Sequence, residues 1–455
     1  MRTGRDRFSD SMEFSDKDLQ KLVVPVVIEQ VLAVLMGLAD TVMVSSCGGA
    51  VVSGISLVDQ ISVLLVGLFS ALAAGGSIVS AQYVGHGERK LVSKSASQLY
   101  LSMGFISSLF AVFAIVFNNQ ILNIIYRNLE PDVFSSASVY FFFIALSFPF
   151  LGLYNAGTAL FRAFGNTKIS MNISLIANIL NIIGNAMLIY VFKMGAAGAA
   201  ISTLFSRIIS FVLILFYLFR SADLDFKITL IPDFSILKKI LFIGIPTGIE
   251  NSIFQVGKLI VSSFIAGLGT VVITANAITG TIANIQNIPA NSIGIVLVTV
   301  VGQLIGASDE KGALKYTKKL IKMAYIYIAV IGIFIFIFAD KICLLFSLDA
   351  ATTDLVIIVL RYNCIATMLV HPLSFALANS IRAAGDVRYT MAVSISSMWI
   401  FRIGLAYFLG IYMGYGLLGI WAAMTIDWLV RAVFYVTRIA TGKWLSHRNA
   451  IIDSN

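Results

Sequence analysis

The chain has 455 residues, of which 58% are hydrophobic and only 12% charged, with a mean hydropathy of +0.92. A soluble domain carries roughly ~25% charged residues, about twice this share, so a soluble enzyme, a nucleic-acid binder and a disordered scaffold are excluded. A polytopic membrane protein remains.

Residues 1–21 are polar and charged, with no apolar core ahead of a cleavage site, and read as an N-terminal tail rather than a signal peptide. Beyond them, apolar runs interrupted by charge predict twelve membrane-spanning helices. They fall at roughly 22–44, 53–80, 96–118, 133–158, 170–192, 197–219, 239–266, 271–303, 318–338, 354–380, 391–411 and 416–437. Twelve helices of ~20 residues require ~240 apolar positions, which the composition supplies. A membrane barrel needs alternating segments of ~10 residues, and none is present. The cysteines Cys47, Cys343 and Cys364 are widely spaced without a CxxC, which gives neither a disulfide framework nor a metal site.

The basic residues orient the array. Of the 32 Lys and Arg, Arg127, Lys193 and Lys341 fall in loops on one side, and Arg207, Lys258, Arg361, Arg402 and Arg431 fall inside spans. The remaining 24 lie on the other side. The positive-inside rule makes that side cytoplasmic, places both termini there, and accounts for the net charge of +9 without a nucleic-acid partner.

The two halves repeat. VPVVIEQVLAVLMGL (24–38) lies over IPTGIENSIFQVGKL (245–259), pairing Pro25 with Pro246 and Glu29 with Glu250. AQYVGHGE (81–88) lies over GQLIGASD (302–309) at the same offset. FRAFGNTKISMNIS (161–174) matches IRAAGDVRYTMAVS (381–394), pairing Arg162 with Arg382 and Gly165 with Gly385, and MGAAG (194–198) matches MGYGLLG (413–419). Four ordered matches imply a duplicated six-helix unit. Six is an even number, so both copies insert the same way, as a parallel repeat. The expected organisation is an N-terminal tail (1–21), an N-lobe (22–219), a cytoplasmic inter-lobe loop (220–238), a C-lobe (239–437) and a C-terminal tail (438–455).

The pattern PVVIEQVLAVLMGLADTVMV in the first span, AQYVGHGERK closing the second, LFRAFGNTK after the fourth and ANILNIIGNAML in the fifth together resemble the multidrug and toxic compound extrusion (MATE) family. The resemblance runs from about residue 18 to 437. It implies an all-α fold of two pseudo-symmetric six-helix lobes around a central cavity. It also implies export of small amphipathic, cationic drugs in exchange for Na⁺ or H⁺, by alternating access. Lipid-linked saccharide flippases of the wider superfamily supply the alternative.

Ionisable groups inside spans cost about +2.5–3.5 kcal/mol at a helix centre, so each such position is a candidate. Asp40, matched to the family's first-span acid, is the expected N-lobe coupling carboxylate. Glu29 shares its helix face, about 20° out of line and roughly 16 Å away along the axis; it is either a second such group or a solvated one. Asn178, Asn181 and Asn185 share an arc of about 60°, as a polar cavity wall or as helix–helix glue. Asn185 stands where one branch of the family carries an acid. Asn276, Asn284, Asn287 and Asn291 share an arc of about 80° beside Pro289, as a second cavity wall or as helix–helix glue.

Glu250 resembles a coupling glutamate of sodium-coupled relatives, which makes Na⁺ at Glu250 the expected metal contact. His371 stands where those relatives are acidic; it is a proton carrier or a packing residue. Lys258 is expected to pair with a carboxylate on another helix. Arg361, Arg402 and Asp427/Arg431 are expected to be structural pairs or interfacial snorkellers, and the five in-span basic residues read as scattered. Pro25 and Pro246 are expected hinges. No GxxxxGK[ST], HExxH or GxSxG occurs, so neither ATP hydrolysis nor enzyme activity is expected. The chain is expected to work as a monomer in the plasma membrane without a cofactor beyond its coupling ion.

Overall fold

The structure is a computed structural model that describes residues 13–126, 129–221, 226–346 and 348–447. The first twelve residues of the N-terminal tail, Arg127 in an outer loop, the middle of the inter-lobe loop and the end of the C-terminal tail lie outside the described residues.

A bilayer offers no partner to backbone N–H and C=O groups, so a spanning chain must satisfy them within helices. Among the described residues there is no strand. The helices are α1 (Asp16–Ser45), α2 (Gly49–His86), α3 (Arg89–Val116), a short α4 (Asn118–Ile125), α5 (Pro131–Ala163), α6 (Thr167–Asn185) and α7 (Gly195–Arg220). They continue with α8 (Phe234–Ala266), α9 (Thr270–Gly306), α10 (Glu310–Cys343), α11 (Ala350–His371), α12 (Leu377–Ala383), α13 (Val387–Ser397) and α14 (Gly416–Ala440). Wide π turns extend α6 at Ala186–Val191, join α11 to α12 at Pro372–Ala376, and prolong α13 through Met398–Gly404 and Ala406–Tyr412. Counted with these turns, the long elements are twelve.

Eleven described helices are both long and apolar enough to cross a bilayer. The twelfth span, α8, has 33 residues but carries Glu250, Asn251, Gln255 and Lys258 in its second half. α1 begins earlier than its apolar run, because Ser15 and Asp18 form a reciprocal capping box.

The chain divides into two compact units, the first ending at Gly248 and the second beginning at Ile249, inside α8. The same internal pairings recur in both. In the first unit α2 packs on α3 and α5, α3 on α5, α5 on α7, and α6 on α7. In the second, α9 packs on α10 and α11, α10 on α11, α11 on α14, and the π turns after α13 on α14. The first half of α8 lies against α2 within the first unit: a Cβ at Gly75 would stand 2.7 Å from the Ile240 carbonyl oxygen, and one at Gly244 3.0 Å from Leu72. Glycine lets the two backbones touch. The preceding segment is pinned to α3. Gln98 Nε2 donates to the Ile231 carbonyl at 2.9 Å, and its Oε1 accepts from the Asp233 N–H at 2.9 Å. Asp233 pairs with Lys94 and caps α8 through the Ser235 N–H. Lys94 and the N–H groups of Ile236 and Ser235 hold the Asp233 carboxyl below its ordinary range.

The repeated motifs are helix stops. After α5, Gly165 (φ +72°) accompanies bonds from the Gly165 N–H to Arg162 and the Asn166 N–H to Phe161. After α12, Gly385 (φ +90°) accompanies bonds from the Gly385 N–H to Arg382 and the Asp386 N–H to Ile381. This double bond to the last turn needs a left-handed residue. At the ends of α2 and α9 that residue is Gly87 (φ +83°) and Ser308 (φ +58°). A side chain in this conformation costs ~1–2 kcal/mol. Ser308→Gly should therefore stabilise the protein by about 1 kcal/mol, raising the thermal midpoint in detergent; an unchanged or lower midpoint would remove the strain argument.

Candidate functional site

The strongest local result concerns Glu29 and Glu250. Arg162 Nη2 lies 2.6 Å from Glu29 Oε1, tying α5 to α1, and Arg382 Nη2 lies 2.7 Å from Glu250 Oε1, tying α12 to α8. The four residues that the repeat aligned two by two are one ion pair made twice. Each carboxylate side chain is 9% exposed.

The first unit brings Asp40 together with the α6 amides. Asn185 Nδ2 donates to Asp40 Oδ1 at 2.6 Å and to Asn181 Oδ1 at 3.3 Å, and Asn181 Nδ2 donates to Thr203 Oγ1 of α7 at 3.3 Å. Asn178 instead donates to the Ser174 carbonyl of its own helix at 2.9 Å. The Oδ1 atoms of Asn185 and Asn178 are buried acceptors without a partner. Asp40 itself is half-buried. A carboxylate beside amide and hydroxyl oxygens is the donor chemistry of a hard cation, and equally a place to hold a proton.

Three further residues belong to this site and carried no assignment from the sequence. Asp59 of α2 and Arg207 of α7 lie within electrostatic reach of Asp40. Tyr140 of α5 donates to Asp59 Oδ1 at 3.2 Å, and Arg207 Nη1 donates to Ser147 Oγ at 2.6 Å. Opposite charges in two apolar spans were the available signal. Nothing in their spacing says that they meet.

The second unit differs from expectation. Among the described residues Lys258 pairs with no carboxylate; its Nζ stands 5.1 Å from the Phe254 ring, and the residue is exposed. Arg402 and Arg431 flank the same ring, their Cζ atoms at 5.0 and 5.4 Å. Three of the five in-span basic residues thus converge, which corrects the reading of them as scattered. Asp427 pairs with Arg431 at 2.9 Å and with Arg402 at 3.5 Å, and its side chain is 0% exposed. The pair is buried and not interfacial. Arg361 pairs with Asp340 at 2.7 Å, as a structural pair.

His371 stacks on Phe375 at 4.5 Å and meets Trp428 edge-on at 5.3 Å, with Arg402 as its nearby charge. Glu250 is held by Arg382. Along α9, Asn276 accepts from Trp421 Nε1 at 3.1 Å, Asn284 and Asn291 are exposed, and Asn287 is half-buried. Buried Gln286, overlooked in the sequence, accepts from Asn363 Nδ2 at 3.3 Å. Pro25 and Pro246 both lie inside unbroken helices.

Residues 25–187 and 246–408 each match the family model described as MatE, one match per half. The chain is 26% identical over 445 residues to "Probable multidrug resistance protein NorM" of Thermotoga maritima, covering 94% of this chain and 93% of that protein. It is 29% identical over 443 residues to "Uncharacterized transporter YisQ" of Bacillus subtilis, covering 94% of each. Its fold is similar to that of "Crystal structure of MATE in the bent conformation", with a TM-score of 0.88 at 20% identity over 98% of this chain and 99% of that one.

A buried charge left without its partner costs about 3–5 kcal/mol. Arg162→Met and Arg382→Met should each lower the detergent thermal midpoint sharply. Glu29→Gln/Arg162→Met should be more stable than Arg162→Met alone, since no lone carboxylate is left behind. A double variant no better than the single would show that the ion pair is not what holds α1 to α5.

Proposed function

The chain belongs to the MatE family of multidrug efflux transporters, and we propose that it is a secondary antiporter exporting small amphipathic cations in exchange for entering Na⁺ or H⁺. The observation that carries this reading is the N-lobe set of Asp40, Asn185, Asn181 and Thr203. Ionised Asp40 attracts a cationic drug. Binding of Na⁺ among the same oxygens, or a proton on Asp40, cancels the charge that holds the drug and favours its release. Drug and coupling ion then compete for one carboxylate, which is all that antiport requires. At Glu250 the Arg382 guanidinium holds Oε1 and already compensates the negative charge, leaving only Oε2 unpartnered, so Asp40, which meets a neutral amide, is the better coupling site. Alternating access by the two lobes, with α1 and α8 bending at Pro25 and Pro246, is the proposed carrier motion. The working unit is proposed to be a monomer in the plasma membrane with both termini cytoplasmic.

A flippase for a lipid-linked saccharide is the second reading. The cation cluster of the second unit favours it, because such a substrate is anionic.

In proteoliposomes with Na⁺ and H⁺ gradients imposed separately, the wild type should drive ethidium efflux under at least one gradient. Asp40→Asn, which removes the charge and little volume, should reduce efflux to background under both. Full efflux by Asp40→Asn at normal protein level would sink the coupling role. For orientation, single cysteines introduced into a cysteine-free variant should react with an impermeant maleimide from outside at Gly49 and not at Ser308. Outside labelling at position 308 would invert the topology.

A further inference from the structure

We propose that the second unit contains an anion-binding site, built by Lys258, Arg402 and Arg431 around Phe254, that takes the carboxylate or phosphate group of an amphipathic ligand. It deepens the transport reading by naming a substrate chemistry, and it rests on that reading only in calling the ligand transported.

The charge balance is the first argument. Three cations face one ring at 5.1, 5.0 and 5.4 Å. The carboxylate that faces them is Asp427, which neutralises one of them and is shared between two. Glu250 is already cancelled by Arg382 at 2.7 Å, and His371 brings no negative charge. Two positive charges are left over within a membrane-spanning unit, where unpaired charge is costly. A ring face stabilises a cation only partly. An incoming anion supplies the missing compensation, and guanidinium groups bind carboxylate and phosphate through charge-assisted hydrogen bonds.

The second argument is independent of charge. Arg431 Nη2, Trp428 Nε1 and His371 Nδ1 are buried polar atoms without a hydrogen-bond partner, as is Asp427 Oδ2, whose contact is the 3.5 Å ion pair. The indole N–H can only donate. These groups lie on one set of rings: Phe375 is 4.5 Å from His371, 5.8 Å from Trp428, 5.8 Å from the Arg431 guanidinium and 6.4 Å from Phe254. Arg431 Nη2 and Trp428 Nε1 are the unfilled donors of this set, and donors beside aromatic faces suit a ligand with an anionic head and a flat apolar body, while the Asp427 carboxylate stays with the two arginines. Lys258 is exposed while both arginines are buried, so Lys258 meets the ligand first and the guanidinium groups lie deeper.

The same position in the first unit shows that this is a local feature and no by-product of the fold. Gly198 approaches Leu188 and Gly419 approaches Leu409 in the same manner, which fixes the structural register of the repeat. Between the match of 161–174 with 381–394 and this one the second unit gains one residue, so Arg402 falls level with Asn181 or Ile182, and Lys258 falls level with Gly37, all of them uncharged in the first unit.

The test uses the full chain in nanodiscs of phosphatidylcholine, with 1-pyrenebutyrate and its uncharged methyl ester as probes and no ion gradient. The carboxylate should bind at least about tenfold more tightly than the ester, the worth of one charge-assisted bond. Lys258→Gln, which removes one of the two excess charges, should reduce that preference several-fold. Lys341→Gln, a cation of the same unit outside the cluster, should keep it. Adding phosphatidylglycerol separates the sources. Displacement of the probe from the wild type would identify a lipid headgroup as the natural anion, and retention a soluble amphiphile; either result supports the site. Equal affinity for carboxylate and ester, or an undiminished preference in Lys258→Gln, would overturn the proposal. Because no gradient is used, a failure of antiport leaves this result standing, and the reverse.

Discussion

A buried glutamate–arginine pair, made twice, is the interaction on which the rest of the structure depends. In a chain with 12% charged residues, each ion inside a span is a liability of several kcal/mol unless it meets its opposite. Glu29 with Arg162 and Glu250 with Arg382 meet at 2.6 and 2.7 Å. Each joins the first span of a six-helix repeat to the fourth. The arginine sits three residues before the left-handed glycine that stops its helix, so one short motif both closes the helix and delivers the cation. Each glutamate follows its helix's proline by four residues. The pair therefore anchors the helix near the point where the lost N–H weakens it.

With the frame fixed in this way, the two units are free to differ in polarity. The first gathers Asp40, Asp59 and Arg207 among amides; the second gathers Lys258, Arg402 and Arg431 around one carboxylate and a set of aromatic rings. The backbone course is shared, down to the close approach of Gly198 to Leu188 and Gly419 to Leu409. Charged side chains in one unit stand opposite uncharged ones in the other: Lys258 matches Gly37, and Asp40 matches Val261. Duplication thus supplied two scaffolds of similar course, and a few substitutions left one with more acids than bases around Asp40 and the other with more bases than acids around Phe254.

How much of this was legible follows from the range of each signal. The twelve spans were legible because bilayer thickness sets helix length and apolar runs record it. The repeat was legible because its motifs are local turns with fixed backbone needs: Gly165 and Gly385 mark the same left-handed stop. The Asp40–Asn185–Asn181 chain was partly legible, since helical spacing puts the amides on one stripe, while Asn178 turned back on its own helix. What the sequence concealed is pairing across helices. Glu29 and Arg162 are 133 positions apart, and no periodicity connects them; only the parallel repetition of both hinted at a common role. Arg402, Arg431 and Lys258 looked scattered for the same reason. Asp59 was missed because a single acid near the start of a span reads as wetted by headgroups.

The arrangement around Asp40 shows how an arginine can lie near a buried carboxylate without pairing with it. Arg207 would neutralise Asp40 if the two formed a direct bond. Instead its guanidinium is bonded to Ser147 Oγ at 2.6 Å, and Asp59, bonded to Tyr140, supplies a second carboxylate within its field. Asp40 receives a neutral amide donor from Asn185, which orients the carboxylate without cancelling its charge. Two acids and one base, counted as ionised, leave a single net negative charge. The Glu250 site has the opposite logic: its arginine is in contact, its charge is spent, and what it contributes is position. The difference between a site and a strut in this protein is whether the partner of the carboxylate carries charge.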